Sequence, residues 1–362
     1  MSANSSTAPP IRTAIVRSRD GFLKLQDHWD PFIETCGNGV VFARWDWVRI
    51  WLDIFGTSES PLAIICIWRG QTLIGLAPFW IQPRRHCGWT VRTLRFLGTG
   101  ELEADEVLPE MLDVMCRKED TEPVARAVVT AIERELQWDA AIFDHVVSGS
   151  VIETAIVPSL ATPETAIRSA RGARYRLQWP AGQVPKLPSA VAYKRRKLER
   201  AGQLEYQFVG SMTGWETSIE TLTALHRKRW EARGVQGVFA SAKFDRFHRT
   251  LSQHWVAQGG VCLHMLRLDG LPIAALYNLR WHGVEYFYQG GIDTSLKGQS
   301  PGIVLHAFAI EHAARSGSTA YDFLGGEAQS YKSIFGVRAE PLAAWFIPRT
   351  WRGRLARMLH RV

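Results

Sequence analysis

The sequence predicts an α+β fold built as two tandem units, each a mixed, mostly antiparallel sheet flanked by helices, and three observations carry that expectation. The chain has 362 residues, more than one compact domain of about 100–150 residues usually holds. Apolar runs of strand length sit side by side and are joined by turn residues, while helical periodicity is confined to separate stretches. The order helix, helix, hairpin, strand, helix, strand in the first half recurs in the second, a weak duplication with no residue-level repeat visible.

The elements follow in order. Residues 1–10 are rich in Ser, Ala and Pro, without a basic start or an apolar run, and predict a disordered tail with no signal peptide. Residues 11–16 read as a strand, and 21–35 and 42–55 as helices. The second of these carries Phe42, Trp45, Val48, Trp51, Leu52 and Phe55 at three- and four-residue spacing. Residues 61–68 and 72–80 form a hairpin around Arg69-Gly70-Gln71, followed by a strand at 91–97, a helix at 122–136 and a strand at 140–147. Between 154 and 188 periodicity weakens and Pro and Gly recur, which places the connection at 166–188, with a short strand at 175–179. The second unit, 189–348, begins with a helix over 189–201 that closes at Gly202. A strand at 204–209, helices at 215–234 and 243–258, strands at 261–268, 273–281 and 284–290, a helix at 301–316 and a strand at 320–324 complete it. The first unit is assigned 11–165 and a basic amphipathic tail 349–362.

Hydrophobic residues at 46% and charged residues at 22% exclude a disordered, collagen-like or coiled-coil chain. No run of about 18 apolar residues predicts a spanning helix, so the cytoplasm is the expected compartment. The five cysteines, Cys36, Cys66, Cys87, Cys116 and Cys262, lack any C-x-x-C pair, which predicts a reducing environment and no metal site. The net charge of +8 divides into −7 over residues 1–165 and +15 over 166–362, so the second unit is the one suited to an anionic partner.

The most informative text is Tyr286-Phe-Tyr-Gln-Gly-Gly-Ile-Asp293 followed by Gly298-Gln-Ser-Pro-Gly-Ile-Val-Leu305, a strand leading through a Gly-containing turn into a helix. Ser300 suits the N-cap and Pro301 the first helical position, and the free amides of that helix start would cradle a phosphate. A Walker-type site is excluded by the lack of a G-K-[ST] dipeptide.

These residues resemble the GNAT acyltransferase superfamily, in particular its tandem-GNAT, FemAB-like branch with cellulose-biosynthesis-type acetyltransferases. Gln299-Ser-Pro-Gly302-Ile-Val304 is similar to the pyrophosphate signature [RQ]-x-x-G-x-[GA] except that Val304 stands at its last position. Leu225-His226 with Arg229-Trp230, Tyr288-Gln289-Gly290-Gly291 with Asp293, and Tyr321-Asp322-Phe323-Leu324-Gly325-Gly326 with Tyr331-Lys332 extend the likeness. In the first half, Ile74-Gly75-Leu76-Ala77-Pro78 and Arg95-Phe96-Leu97-Gly98 belong to it too, so that it covers roughly residues 11–348.

The resemblance implies two tandem GNAT-like domains and an N-acyltransferase using acetyl-CoA or another acyl-CoA. Tyr288, Gln289 and Gly290 would meet the pantetheine, and Gln299, Ser300 and Gly302 the pyrophosphate. Tyr331 would protonate the departing sulfur. Asp322, in an apolar strand, is either a base or a buried acid paired with an Arg or Lys. His226 is a base, an acceptor contact or a satisfied interior histidine. Arg229 and Trp230 lie beside it on the acceptor side, and Lys332 either anchors substrate charge or pairs with an acid. The acidic run Glu101, Glu103, Asp105 and Glu106 would repel a phosphorylated ligand, which leaves the first unit a scaffold or a substrate-positioning unit acting through Asp105.

Two basic runs extend the partner expectations. Lys194, Arg195, Arg196, Lys197 and Arg200 fall on one helix, either a solvated face or, in the alternative of an aminoacyl-tRNA-dependent transferase, an RNA surface. No DNA partner is expected. In the tail, Trp351, Leu355, Met358, Leu359 and Val362 share one helical face among five arginines, which reads as an interfacial helix for an anionic membrane or as a helix docked on its own domain. The 15 tryptophans are either sugar-stacking platforms or core. By resemblance the acceptor is an amino sugar of an exopolysaccharide or cell-envelope precursor, and a further alternative is a non-catalytic partner in a polysaccharide assembly complex.

Overall fold

The computed structural model describes residues 9–57, 61–86, 88–162, 164–296 and 298–359. Its first half contains β1 (Ile11–Val16), α1 (Arg19–Leu23), α2 (Gln26–Thr35), α3 (Trp45–Ile54), β2 (Leu62–Arg69), β3 (Thr72–His86), β4 (Trp89–Phe96), β5 (Met115–Cys116), α4 (Thr121–Glu135), β6 (Ala140–Val147) and α5 (Val157–Leu160). The second contains β7 (Ile167–Gln178), α6 (Ser189–Glu199), β8 (Leu204–Val209), α7 (Trp215–Glu231), α8 (Ala242–Trp255), β9 (Val261–Leu268), β10 (Leu271–Trp281), β11 (Val284–Ile292), α9 (Pro301–Arg315), β12 (Ala320–Gly326), β13 (Ala339–Pro348) and α10 (Trp351–Leu359).

Among the described residues all thirteen strands form one sheet in the order β1-β2-β3-β4-β6-β13-β7-β12-β11-β10-β9-β8, with β5 on β3. Each half runs as antiparallel hairpins and then a parallel pair: β4 with β6, and β11 with β12. β7, the first strand of the second half, pairs with β12 of the same half, whereas β13, its last, reaches across to pair with β6 of the first. β7 and β13 pair with each other at the centre, with Ala344 opposite Ser169.

The structure departs from the sequence expectation in several places, three of which shape the fold. Residues 21–35 form two helices, since the chain breaks at Lys24-Leu25 before α2 starts. The segment 166–188 carries a strand of 12 residues, β7, instead of a short strand around Tyr175. Residues 339–348 form a strand where none was expected.

Tryptophans make the core between the halves. Trp47 on α3 is fully buried and meets Phe247 on α8 edge-on at 4.8 Å, Trp255 at 6.3 Å and Tyr288 on β11 at 5.8 Å. Such geometry suits quadrupolar rings, and burying an aromatic of this size contributes about 2–3 kcal/mol. A second cluster fills the opposite face of the second half, with Leu305 and Ile310 of α9 against Phe323 of β12. Cys36, Cys66, Cys116 and Cys262 are buried free thiols, and Cys87 lies outside the described residues.

The tail helix α10 docks on its own chain. An added Cβ at Gly353 would stand 1.9 Å from the Asp139 carbonyl oxygen, and Ala356 is buried. The Thr350 hydroxyl donates to Asp139 Oδ1 at 2.9 Å, and Arg349 stacks over Trp138. Trp351 stays 58% exposed and meets the exposed Trp89 at 4.8 Å. Of the expected apolar face, Val362 lies outside the described residues, as do the side chains of Met358 and Leu359. No helix among the described residues is long and apolar enough to cross a membrane.

Candidate active site

The start of α9 is built as the sequence suggests, with one difference. Pro301 is the first helical residue, but Ser300 adopts φ +54°, and its hydroxyl accepts a hydrogen bond from Lys194 Nζ at 3.0 Å instead of capping an amide. Lys197 Nζ donates to the Gly298 carbonyl at 3.1 Å. Two ammonium groups of α6 therefore flank the turn 298–302, where the amides and macrodipole of α9 already favour an anion. The buried Gln299 Oε1 has no partner. Val304 is fully buried in the second core, so its bulk lies away from the loop surface, and the departure from the signature does not obstruct it.

Next to this loop the sheet opens. β12 pairs with β11 only through Val284–Tyr286, so beyond Phe287 the two strands diverge. A cavity of about 200 Å³ lies there, with Leu276, Phe287, Ile292 and Ile303 as apolar lining, Gly290 in its floor, and Arg229 and Tyr331 as polar groups. An added Cβ at Gly290 would come to 3.1 Å from Leu276 and Phe287, and one at Gly291 to 2.6 Å from the backbone nitrogen of His226. Glycine at 291 thus lets α7 lie directly on β11, and this brings Arg229 to the cavity. No carboxylate lies within ion-pairing distance of Arg229 among the described residues. Burial and the neighbouring Arg233 lower its pKa.

Tyr331 is 45% exposed, yet its hydroxyl turns inward to within 3.2 Å of His306 Nε2. Burial pushes its pKa up to about 12, against a smaller opposing effect of Arg229. It is a neutral O–H donor across the ordinary pH range.

Other expected residues have different roles. Asp322 is fully buried and paired with Arg174 of β7, whose Nε donates to Oδ2 at 2.8 Å, while Oδ1 accepts from the Leu324 amide at 2.9 Å. Of its two readings, the buried paired acid is the one this geometry matches. Lys332 is buried and donates to the carbonyls of Phe323 at 2.6 Å, Leu324 at 3.3 Å and Gly325, so no proton remains for substrate. Desolvation lowers its pKa to about 8. His226 Nε2 accepts from Trp230 Nε1 at 2.8 Å, and its ring lines a separate cavity of about 110 Å³ with Gly237 and Phe239. Burial lowers its pKa to about 4, which makes it a poor base. Asp105 accepts from the Ser241 hydroxyl at 2.6 Å and ties the first half to α8. The Tyr288 ring is buried, its hydroxyl donating to the Val107 carbonyl, and Gln289 beside it is half-buried on β11.

The sequence reading missed Glu110. It reaches across from the first half and accepts the Gly325 amide at 2.6 Å, at the end of β12 where the strands have parted. Burial raises its pKa, so the carboxylate is more basic than an ordinary glutamate. The only sequence signal was the acidic run that precedes it. Between the halves lies a further cavity of about 410 Å³, lined by Arg174, Arg176, Tyr286, Met111 and Ser148 among others. Arg176 Nε is buried there without a partner. Cys262, His264 and Glu285 each place a ligand atom within 4.8 Å of the others, but His264 Nε2 is already hydrogen-bonded to Glu285 at 2.8 Å.

Residues 186–333, which hold the α9 loop, the open sheet and Tyr331, match the family model described as the acetyltransferase (GNAT) domain. Residues 186–333 form a GNAT-type acetyltransferase domain. Among solved structures, FemX superposes with a TM-score of 0.61 at 10% identity, over 96% of this chain and 99% of that one. The C-terminal domain of a putative lysylphosphatidylglycerol synthetase from Agrobacterium fabrum gives 0.56 at 10% identity, over 93% and 95%. A conserved protein of unknown function from Bacteroides thetaiotaomicron gives 0.55 at 11% identity, over 93% and 100%. These likenesses are of fold, and they extend over both halves of the chain. No curated protein matches it in sequence.

Proposed function

We propose that this protein transfers an acyl group from acyl-CoA to an amine. The observation that carries this reading is the apolar cavity between β11 and β12, with Tyr331 at its wall and the Lys194- and Lys197-flanked loop at its mouth. Diphosphate oxygens suit the two ammonium groups and the α9 amides, and an acyl-pantetheine arm suits the apolar lining. As the amine attacks the thioester carbonyl, a C–N bond forms and the C–S bond breaks. Tyr331 gives its proton to the leaving sulfur, and Glu110 takes the proton released by the amine nitrogen. Exchange with water resets both groups.

The acceptor fits the cavity between the halves, where the unpaired Arg176 favours a substrate carrying an anionic group. An amino sugar of an exopolysaccharide or cell-envelope precursor, the acceptor suggested by family resemblance, meets that requirement when phosphorylated. Arg196 on α6 and Arg200 just after it remain exposed and favour an aminoacyl-tRNA donor as the second reading. The exposed Trp89–Trp351 pair beside the arginines of α10 supports peripheral contact with an anionic membrane.

Calorimetric titration with acetyl-CoA, longer acyl-CoAs and charged tRNA tests the donor. Saturable binding of an acyl-CoA, weakened in the Lys194→Ala/Lys197→Ala variant, is expected; binding of charged tRNA alone would overturn the reading.

A further inference from the structure

Behind Tyr331 runs a buried chain of hydrogen bonds that none of the roles above requires. Tyr331 Oη lies 3.2 Å from His306 Nε2, and His306 Nδ1 lies 3.0 Å from the Tyr321 hydroxyl. Asn278 Nδ2 lies 3.2 Å from that hydroxyl and 2.7 Å from Glu285 Oε1. Glu285 is also held by His264 Nε2 at 2.8 Å and by Arg280 at 3.5 Å. Asn278, Glu285, His264 and Tyr321 are fully buried and His306 nearly so.

The chemistry of these groups fixes the direction of every proton. Glu285 is surrounded by His264, Asn278 and Arg280, which keep its pKa low against the cost of burial, so it is an anion that only accepts. Asn278 must therefore turn its NH₂ toward Glu285, and its second N–H goes to the Tyr321 oxygen. With its oxygen engaged, Tyr321 has one remaining partner for its own proton, His306 Nδ1. Burial, with Lys332 nearby, holds His306 well below its ordinary pKa, so the ring is neutral and has a single proton. That proton sits on Nε2 and points at the Tyr331 oxygen. Any other arrangement strands a buried O–H or N–H, which costs about 1–3 kcal/mol.

We infer that His306 is a positioning residue for acyl transfer: held in its Nε2–H tautomer by Tyr321, Asn278 and Glu285, it donates to Tyr331 Oη, turns the Tyr331 proton into the cavity, and supports the tyrosinate left when that proton goes to the sulfur. The inference rests on the proposed role of Tyr331 as proton donor. No net proton crosses the chain. Tyr331 loses one proton to the thiolate and regains one from solvent, while His306 keeps its own throughout.

The experiment compares steady-state acyl transfer by Tyr331→Phe, His306→Leu, His306→Gln and Tyr321→Phe, using an acyl-CoA and an acyl thioester of a more acidic aryl thiol. The aryl thiolate leaves without protonation. Tyr331→Phe should lower kcat with acyl-CoA about 10²-fold and His306→Leu about tenfold, with KM nearly unchanged. Tyr321→Phe deletes one hydroxyl remote from the cavity, frees His306 to take either tautomer, and should lower kcat about threefold. His306→Gln, whose amide can accept from Tyr321 and donate to Tyr331, should restore most of the loss, and the aryl thioester should abolish the differences among all variants. If Tyr331→Phe is impaired while His306→Leu and Tyr321→Phe match the parent, or if their deficits persist with the aryl thioester, the positioning role is overturned and the donor role of Tyr331 stands. If Tyr331→Phe itself transfers at full rate, the reading beneath the inference fails, and the inference with it.

Discussion

Removing the guanidinium of Arg174 should destabilise this protein more than any change at its surface. Asp322 is fully buried, the side chain of Arg174 is 13% exposed, and the Nε to Oδ2 distance is 2.8 Å. At an effective dielectric near 20 the gross attraction is about 6 kcal/mol, much of it offset by the cost of bringing both ions out of water. Arg174→Met leaves a buried carboxylate with only the Leu324 amide, and should cost about 3–5 kcal/mol. Asp322→Asn retains that amide bond and leaves a cation with access to water and to Glu340 at 3.9 Å, so about 1–2 kcal/mol is expected. The double variant should recover about 1 kcal/mol of the Arg174→Met loss, giving a coupling of about 2–3 kcal/mol in a double-mutant cycle. Urea unfolding at neutral pH measures it, with turnover per folded molecule recorded alongside. A coupling below about 0.5 kcal/mol would refute the ion pair as a structural clamp. So would an Asp322→Asn variant that keeps full stability but loses turnover, which would restore Asp322 as the base.

Glu101 is pushed up to about 7 by burial, so between its ordinary 4.5 and 7 the unfolded chain ionises while the folded one stays protonated. Stability should therefore fall by about 2–3 kcal/mol as pH rises through that window, and Glu101→Gln should flatten the curve in thermal melts; an unchanged slope would count against it. Lys194→Ala/Lys197→Ala should raise the KM for acyl-CoA about tenfold with kcat largely kept, as initial rates would report. Glu110→Gln should lower kcat by about 10² without loss of acyl-CoA binding, and equal rates would exclude it as the base. Co-sedimentation with anionic liposomes should weaken when Trp89 and Trp351 are replaced by Ala, each nearby basic residue contributing about 1 kcal/mol; equal binding would count against the membrane reading.

Local pattern was a good guide wherever a segment decides its own structure. β1, β6, β8 and β9 have the bounds their apolar runs suggest, because a strand flanked by turn residues has few alternatives. β13 was invisible because Ala339-Glu-Pro-Leu-Ala-Ala-Trp-Phe-Ile-Pro348 has a proline near each end and no alternation, and its partners lie far away in sequence. The loop at 298–302 stood out by its Gly-containing turn and helix start, and Tyr331 only through the family resemblance. Lys194 and Lys197 were seen only as members of a charge run, since nothing in a single helix reveals that it will lie beside α9. Asp322 illustrates the same limit: an acid in an apolar strand must have a partner, but which one depends on β7, far earlier in sequence, lying beside β12. Glu110 and His306 draw their chemistry from contacts with distant residues, so no local signal marked His306 and only the preceding acidic run pointed toward Glu110.

The pairing of β13 with β6 also orders the birth of the protein. The first half leaves the ribosome with the edge of β6 open, and that edge closes only after β13, nearly 200 residues later in sequence, has been synthesised. Until then the nascent chain exposes a strand edge of eight residues in the middle of what will become a continuous sheet. Neither half can be completed alone, so severing the chain between them should yield two aggregation-prone fragments that regain solubility when synthesised together.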